Sequence, residues 1–235
     1  MKLINNRYSI IAKIGEGSMG IVYKARDLTL SVDVIVKIIN FDMPETPSLE
    51  YFKQEFQILR SLRHPHIVGV HDFSAIWSVD GHLVPSQYYL FSMDLIEGWE
   101  FLEGISRIRE EKELFRIVGE LLSTLNYIHF NGFLHNDISS RNIYITEEEH
   151  AVKFLDFGIS EVLEGSDSLI RMKRAGDFND LIHLLQGISD EEFPGFCAFV
   201  KEARGVTHAE KGGELERLFD VFNAHTPGPP LLPAH

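Results

Sequence analysis

Two stretches of the sequence decide the fold, Phe133-Leu-His-Asn-Asp-Ile-Ser-Ser-Arg-Asn-Ile-Tyr-Ile145 and Phe154-Leu-Asp-Phe-Gly158. In the first, an apolar run breaks into a polar loop that contains Asp137, and Asn142 follows five residues later. In the second, a short strand ends at Asp156. Two acids and an amide beside β-strands suit one kind of chemistry. A carboxylate can orient a hydroxyl and accept its proton, and carboxylate and amide oxygens are the ligands that Mg²⁺ prefers.

The order and spacing of these residues resemble the catalytic and metal-binding loops of protein kinases. The resemblance implies that Asp137 aligns the acceptor hydroxyl and that Asn142 and Asp156 hold Mg²⁺. Ser139 stands where Ser/Thr kinases usually have a lysine near the γ-phosphate. Arg141 resembles the solution of tyrosine kinases, and we expect it to replace that charge.

A glycine-rich hairpin near the N-terminus extends the resemblance. Gly15, Gly17 and Gly20 lie between two strand patterns, where the absence of Cβ atoms lets backbone N–H groups approach phosphate oxygens. Dinucleotide-binding folds share the G-x-G-x-x-G spacing, but there a helix follows the last glycine. Here residues 21–25 read as a strand, which favours the kinase-type hairpin. The resemblance also implies that Val22 contacts the nucleotide.

The next strand, residues 32–39, contains Lys37 in an otherwise apolar run. From the residues alone Lys37 could be an edge lysine with its amine in solvent. The resemblance implies instead that it binds the α- and β-phosphates and pairs with an acid of the following helix, 49–62. We expect Glu55 rather than Glu50, because E-x8-H-P-x-I-V matches the kinase pattern from Glu55. The apolar positions of this helix are Phe52, Phe56, Leu59 and Leu62.

Further nucleotide contacts follow from the resemblance at a segment that looks like the kinase hinge. The carbonyl of Asp94 and the amide of Ile96 are expected at the adenine edge. Glu100 is expected to reach the ribose or a basic side chain of the substrate, and Tyr144 to lie beneath adenine. The residues themselves also permit a plain linker carrying surface acids, with Tyr144 in the core.

Beyond Gly158 the resemblance weakens. Residues 159–174 are short and polar and contain neither Ala-Pro-Glu nor a recognisable peptide-positioning loop. In the helix predicted at 180–186, Asp180 is expected to support the catalytic-loop backbone, with Asp177 as the second choice. Asn136 stands where many protein kinases have arginine, which predicts activity without phosphorylation of the activation segment.

These observations predict an α+β, bilobal protein kinase-like fold within one domain, residues 1–225. Its N-lobe, about residues 1–93, should be an antiparallel sheet plus one helix. A hinge at 94–98 should lead to a reduced, mainly helical C-lobe at 99–225. The Pro-rich tail, 226–235, is expected to be extended or disordered.

The composition limits the kinds of protein that this sequence can encode. The chain has 235 residues, 44% of them hydrophobic, which suffices for a well-packed core. A formal net charge of −13 argues against nucleic-acid binding and suits a basic protein substrate, although a solvated acidic surface explains it equally well. One cysteine, no apolar leader and no run of 18 apolar residues predict a cytoplasmic protein without a membrane span.

The leading hypothesis is a minimal ATP- and Mg²⁺-dependent protein kinase that phosphorylates serine or threonine of a protein substrate. The main alternative is a small-molecule kinase of the choline or aminoglycoside type, whose catalytic loops can likewise read His-Asn-Asp. A third reading is a pseudokinase scaffold. It is less favoured because every polar residue that phosphoryl transfer requires is present, namely Lys37, Glu55, Asp137, Asn142 and Asp156.

Overall fold

A computed structural model of the protein describes residues 2–17, 20–40, 49–85, 88–188, 193–207, 214–226 and 230–231. The chain forms two compact units. The first comprises residues 1–63 and 68–96, and the second comprises residues 64–67 and 97–235. The change from one unit to the other therefore falls within the predicted hinge at 94–98.

The first unit is built on one sheet of eight strands. They are β1 (Leu3–Ile4), β2 (Tyr8–Gly17), β3 (Gly20–Asp27), β4 (Val32–Asn40), β5 (Val70–Ala75), β6 (Ser78–Val79), β7 (His82–Leu83) and β8 (Tyr88–Asp94). Every pairing is antiparallel, and the spatial order is β5-β8-β4-β3-β2-β1-β6-β7. A run of apolar side chains packs in the core of this sheet: Ile4, Tyr8, Ala25, Val34, Val36, Ile76 and Leu90.

The sheet curls until its ends meet. Only two residues separate β5 from β6, although β5 lies at one end of the strand order and β6 near the other. Asn5 joins these ends, because its side-chain amide donates to the carbonyl of Ala75 (2.8 Å) and its Oδ1 accepts from the N–H of Trp77 (2.9 Å). Arg7 also forms salt bridges with the buried Asp27 and with Asp72 of β5.

One helix, α1 (Leu49–Ser61), packs against this sheet. Its Phe52 ring lies 4.9 Å from the ring of Phe91, and its Phe56 ring lies 5.4 Å from that of Phe73, measured between centroids. All four apolar positions that the sequence predicted for this helix are buried: Phe52, Phe56, Leu59 and Leu62.

The second unit is mainly helical. Its strands are β9 (Gly98–Glu100), β10 (Phe133–Leu134), β11 (Ile143–Thr146), β12 (Val152–Phe154) and β13 (Glu161–Val162). They form the sheets β12-β11-β9 and β10-β13. The helices of this unit are α2 (Phe101–Ile105), α3 (Glu111–Phe130), α4 (Asp167–Leu185), α5 (Pro194–Thr207) and α6 (Glu214–His225).

The core of the second unit is aromatic and centres on α3. Phe115 lies 5.7 Å from Phe196 of α5 and 6.2 Å from Phe222 of α6, measured between ring centroids. The Asn223 side chain of α6 donates to the carbonyl of Leu231 (2.9 Å) and accepts from its N–H (2.7 Å). The described end of the tail is therefore bound at Leu231. Residues 227–229 and 232–235 of the predicted tail lie outside the described residues.

The α+β, bilobal class is confirmed, with an antiparallel sheet and one helix in the first unit and helices dominating the second. The helix α4 differs from expectation, because it begins at Asp167 and not near 180. Ser166 starts this helix early by accepting the N–H of Leu169 on its hydroxyl (3.5 Å). Within the described residues, no helix combines the length and apolar character needed to cross a lipid bilayer.

Candidate active site

In the first unit, three site residues, Gly15, Val22 and Lys37, fall in one row across the sheet that ends at the core residue Phe91. Gly15 of β2 lies opposite Val22 of β3, Val22 opposite Lys37 of β4, and Lys37 opposite Phe91 of β8. Side chains that are directly opposite in an antiparallel sheet project to the same face. Val22 and Lys37 therefore share the face beside the glycine-rich hairpin.

At the start of β3, the backbone of the hairpin lies very close to the backbone of β4. Gly20 has φ of +118°, and a Cβ there would lie 2.3 Å from the carbonyl oxygen of Ile38. Only glycine fits both constraints. Gly17 ends β2 opposite Gly20, and the turn residues 18–19 lie outside the described residues.

Lys37 forms a buried ion pair with Glu55. The lysine Nζ donates to both carboxylate oxygens, at 2.7 and 2.9 Å, and the two residues are 4% and 2% exposed. Glu50, the competing candidate, is exposed. The pairing is thus the one predicted, and it fixes the lysine amine on α1. Its contact with phosphates stays a prediction.

Asp94 and Ile96 end the first unit. The Asp94 carboxylate accepts the N–H of Gly69 (3.0 Å) and lies 2.9 Å from Nε2 of His71. The Asp94 N–H in turn donates to the carbonyl of Gly69 (2.9 Å). These bonds fix the backbone at the end of β8, where the adenine contacts of Asp94 and Ile96 stay predictions.

In the second unit, Asp177 of α4 holds the catalytic loop, and the expectation for Asp180 is wrong. The Asp177 carboxylate is 2% exposed and accepts the N–H groups of His135 (2.9 Å) and Asn136 (2.8 Å). It also lies 2.7 Å from Nε2 of His129. Asp180, three residues later, is exposed, and partial burial, followed by the nearby carboxylates of Asp177 and Asp137, raises its pKa. Asn136 has φ of +63°, a conformation that asparagine tolerates better than most residues.

The choice between the two aspartates could have been read from the helical period. The buried residues of α4 include Phe178 and Leu181, and Asp177 lies one and four residues before them. It therefore borders the buried face. His129 was missed altogether, although it follows Leu125 by four residues and so lies on the buried face of α3.

Burial and hydrogen bonding determine the protonation states of His129, His135 and Asp177. Burial lowers the pKa of His129 and of His135, so both imidazoles are neutral near pH 7. Burial alone would raise the pKa of Asp177, but the hydrogen bond from His129 and the two backbone N–H groups hold it below its ordinary value. A neutral His129 that donates from Nε2 to an ionised Asp177 agrees with the lowered pKa of each group.

Asn142 and Asp156 lie at the same end of the β11–β12 pair. Ile143 pairs with Phe154, and the carbonyl of Asn142 accepts the N–H of Leu155 (2.9 Å). The Asn142 amide nitrogen donates to the carbonyl of Asp137 (3.1 Å), and an Asp156 oxygen accepts the N–H of Gly158 (2.9 Å). An amide oxygen and a carboxylate at one strand end fit Mg²⁺, which takes oxygen ligands.

Tyr144 and Glu100 share one face of the β12-β11-β9 sheet, because they are directly opposite in its register. Burial raises the pKa of Tyr144, and the carboxylates of Glu100 and Glu103 raise it further. Tyr144 is half-buried, so this face is partly open. Arg141 is exposed on the catalytic loop. The roles expected for these side chains stay predictions.

The class of protein follows from a comparison with known families. The protein kinase domain family matches residues 8–178, which is well over half of the chain. The chain therefore belongs to the protein kinase family, whose members generally use ATP and Mg²⁺.

Several bacterial relatives are similar to this chain. Serine/threonine-protein kinase pkn3 of Myxococcus xanthus is 32% identical over 183 residues, 74% of this chain and 32% of the relative. PrkC of Bacillus subtilis (strain 168) is 32% identical over 168 residues, 70% of this chain and 24% of the relative. PknB of Mycobacterium tuberculosis is 29% identical over 202 residues, which are 82% of this chain and 29% of the relative. The chain thus spans about a quarter to a third of the length of these relatives.

Proposed function

We propose that the protein is an ATP- and Mg²⁺-dependent kinase that phosphorylates serine or threonine hydroxyls of proteins. The observation that carries the proposal is the bonded catalytic loop of the second unit. Asp177 fixes the backbone just before Asp137, and Asn142 bonds to the Asp137 carbonyl. The names of the relatives, all serine/threonine-protein kinases, support a protein acceptor over a small molecule.

Each proposed residue has a defined task. Gly15, Gly17 and Gly20, with Val22, cover the nucleotide, and Lys37, held by Glu55, neutralises phosphate oxygens. In the second unit Asp137 orients the acceptor hydroxyl and accepts its proton, and Arg141 adds positive charge near the transferred group. Mg²⁺, held by Asn142 and Asp156, would neutralise charge on the phosphates. The remaining nucleotide contacts are those proposed for Asp94, Ile96, Glu100 and Tyr144.

We also propose a basic protein substrate and a cytoplasmic location. The formal net charge of −13 attracts cationic partners, and the exposed carboxylate of Glu100 is available to a basic side chain. The location is supported by the cysteine count, since the single cysteine, Cys197, cannot form a disulfide within this chain and suits a reducing compartment.

The test is transfer of radiolabelled phosphate from ATP to a basic generic protein and to the kinase itself, with a metabolite extract assayed in parallel by thin-layer chromatography. The wild type should label protein, and Asp156→Ala and Asp137→Asn should each lower the rate by a factor on the order of 100 or more. The exposed Asp220→Asn of α6 is the control and should retain the wild-type rate.

Two outcomes would contradict the proposal. Label on a metabolite and none on protein would assign the chain to the small-molecule kinases. Nucleotide binding without any transfer would make it a pseudokinase.

A further inference from the structure

Ser140, in the catalytic loop between Asp137 and Asn142, is bonded twice to the segment that follows β9. Its carbonyl accepts the N–H of Phe101 (3.1 Å), and its hydroxyl oxygen accepts the N–H of Leu102 (3.0 Å). Both N–H groups belong to the first turn of α2, where backbone donors have no partner within the helix. Ser140 therefore satisfies two donors that would otherwise need water.

The segment that makes these bonds is held firmly. Phe101 is fully buried and Ile105 nearly so. The backbone of α2 lies so close to β11 that a Cβ at Gly104 would be 2.5 Å from the Cβ of Ile145. Since close-packed backbones cannot shift without displacing their neighbours, α2 is a fixed reference for the loop.

The catalytic loop is thus anchored on both sides of Asp137. Asp177 holds the N–H groups of His135 and Asn136 before it, and α2 holds Ser140 after it. A side chain that must align a reacting hydroxyl gains from such support, because small displacements are costly in rate.

We propose that Ser140 is a positioning residue, through which the segment that carries Glu100 sets the position of Asp137. The inference rests on the proposed phosphotransferase activity. Glu100 directly precedes Phe101 and lies opposite Tyr144 in the sheet, so the proposed nucleotide face and the catalytic loop meet at the Ser140 bonds. Serine suits this position because its hydroxyl oxygen is one bond from Cβ and reaches an adjacent N–H, as threonine also does.

Three variants test the proposal: Ser140→Ala, Ser140→Thr and, as a matched control, Ser106→Ala. Ser106 follows α2 directly, and its hydroxyl donates to the carbonyl of Glu103 (2.7 Å), with no bond to the catalytic loop. Ser140→Ala should lower kcat by a factor on the order of ten and change the KM for ATP by less than about twofold. Ser140→Thr should restore kcat, and Ser106→Ala should match the wild type.

Amide hydrogen exchange without nucleotide gives a readout that is independent of activity. In Ser140→Ala, exchange should accelerate at Leu102 and over residues 137–142, while α5 is unchanged. If Ser140→Ala does not fold, Ser140→Cys retains the volume with a weaker acceptor, and the same comparison applies.

An unchanged kcat together with unchanged exchange in Ser140→Ala would overturn the proposal, as would an equal loss of kcat in Ser106→Ala. The absence of transfer by the wild type would contradict the proposed function instead. In that case the exchange experiment still decides whether Ser140 holds the loop.

Discussion

Asp177 illustrates how much one buried carboxylate can hold. It accepts two backbone N–H groups of the catalytic loop and pairs with the imidazole of His129. We expect Asp177→Asn to lower the free energy of unfolding by about 3 kcal/mol, because charged hydrogen bonds are lost and a donor is introduced where N–H groups point. Urea denaturation of the variant measures this difference, and its rate of phosphoryl transfer should fall as well.

Asp180→Asn is the control for this prediction. It lies one turn further along the same helix and is exposed, so the change should stay within about 0.5 kcal/mol. Similar losses in the two variants would mean that the bonds from His135 and Asn136 contribute little.

At the scale of residues, the pair between Lys37 and Glu55 was predicted from the resemblance to protein kinases, in which E-x8-H-P-x-I-V begins at Glu55, and Glu55 also borders the apolar face of its helix. A regular strand and an amphipathic helix each define which side chains point inward. Asp177 was ranked second because the predicted helix began at residue 180, although the period of the apolar residues of α4 places Asp177 beside the buried face. A helix start that depends on one capping serine, Ser166, leaves a weak signal in the sequence.

At the scale of elements, α3 and the catalytic loop after β10 bring neutral histidines into the interior, and this makes stability depend on pH. Burial lowers the pKa of His129 and His135. In the unfolded chain both titrate near 6.5. Burial, together with the charges of His66 and Lys153, also lowers the pKa of His64, to about 4.

We predict that the free energy of unfolding changes little between about pH 7 and 8 and falls as the pH drops below about 6.5. Below that pH the unfolded chain binds protons that the folded chain does not. Each fully neutral buried histidine should contribute a slope of about 1.4 kcal/mol per pH unit. Urea denaturation at pH 7.5, 6.5 and 5.5 measures the slope, and the exposed His82→Gln should leave it unchanged. Equal stability at pH 7.5 and 5.5 would contradict the prediction.

The short elements are those that sequence patterns could not predict. β1, β6, β7, β10 and β13 have two residues each, too few to display an alternation. Four of them meet backbone partners that are distant in the sequence, since β1 pairs with β6 and β10 pairs with β13. The same holds for α2, which has five residues and whose role appears only through its bonds to Ser140.

At the scale of the whole molecule, the sequence predicted a sheet-rich N-terminal part and a helical C-terminal part because their periodicities differ over long stretches. The change of unit at residues 96–97 falls inside the predicted hinge. Residues 64–67, which lie in the range predicted for the N-lobe, group with the second unit through contacts such as the bond from the N–H of Phe154 to the carbonyl of His66 (2.8 Å). Contacts between residues that are far apart in the chain leave no local pattern in the sequence.

The strand β1 bears on how this protein should be expressed in the laboratory. The similarity to other kinases begins at residue 8, so a gene trimmed to that boundary would discard β1, Asn5 and Arg7. The hydrogen-bonding edges of β2 and β6 would then be bare, and bare edges promote self-association. We predict that a protein lacking residues 2–7 forms concentration-dependent aggregates in light scattering and melts at a lower temperature than the full chain. A monodisperse product with an unchanged melting temperature would show that the cut is harmless.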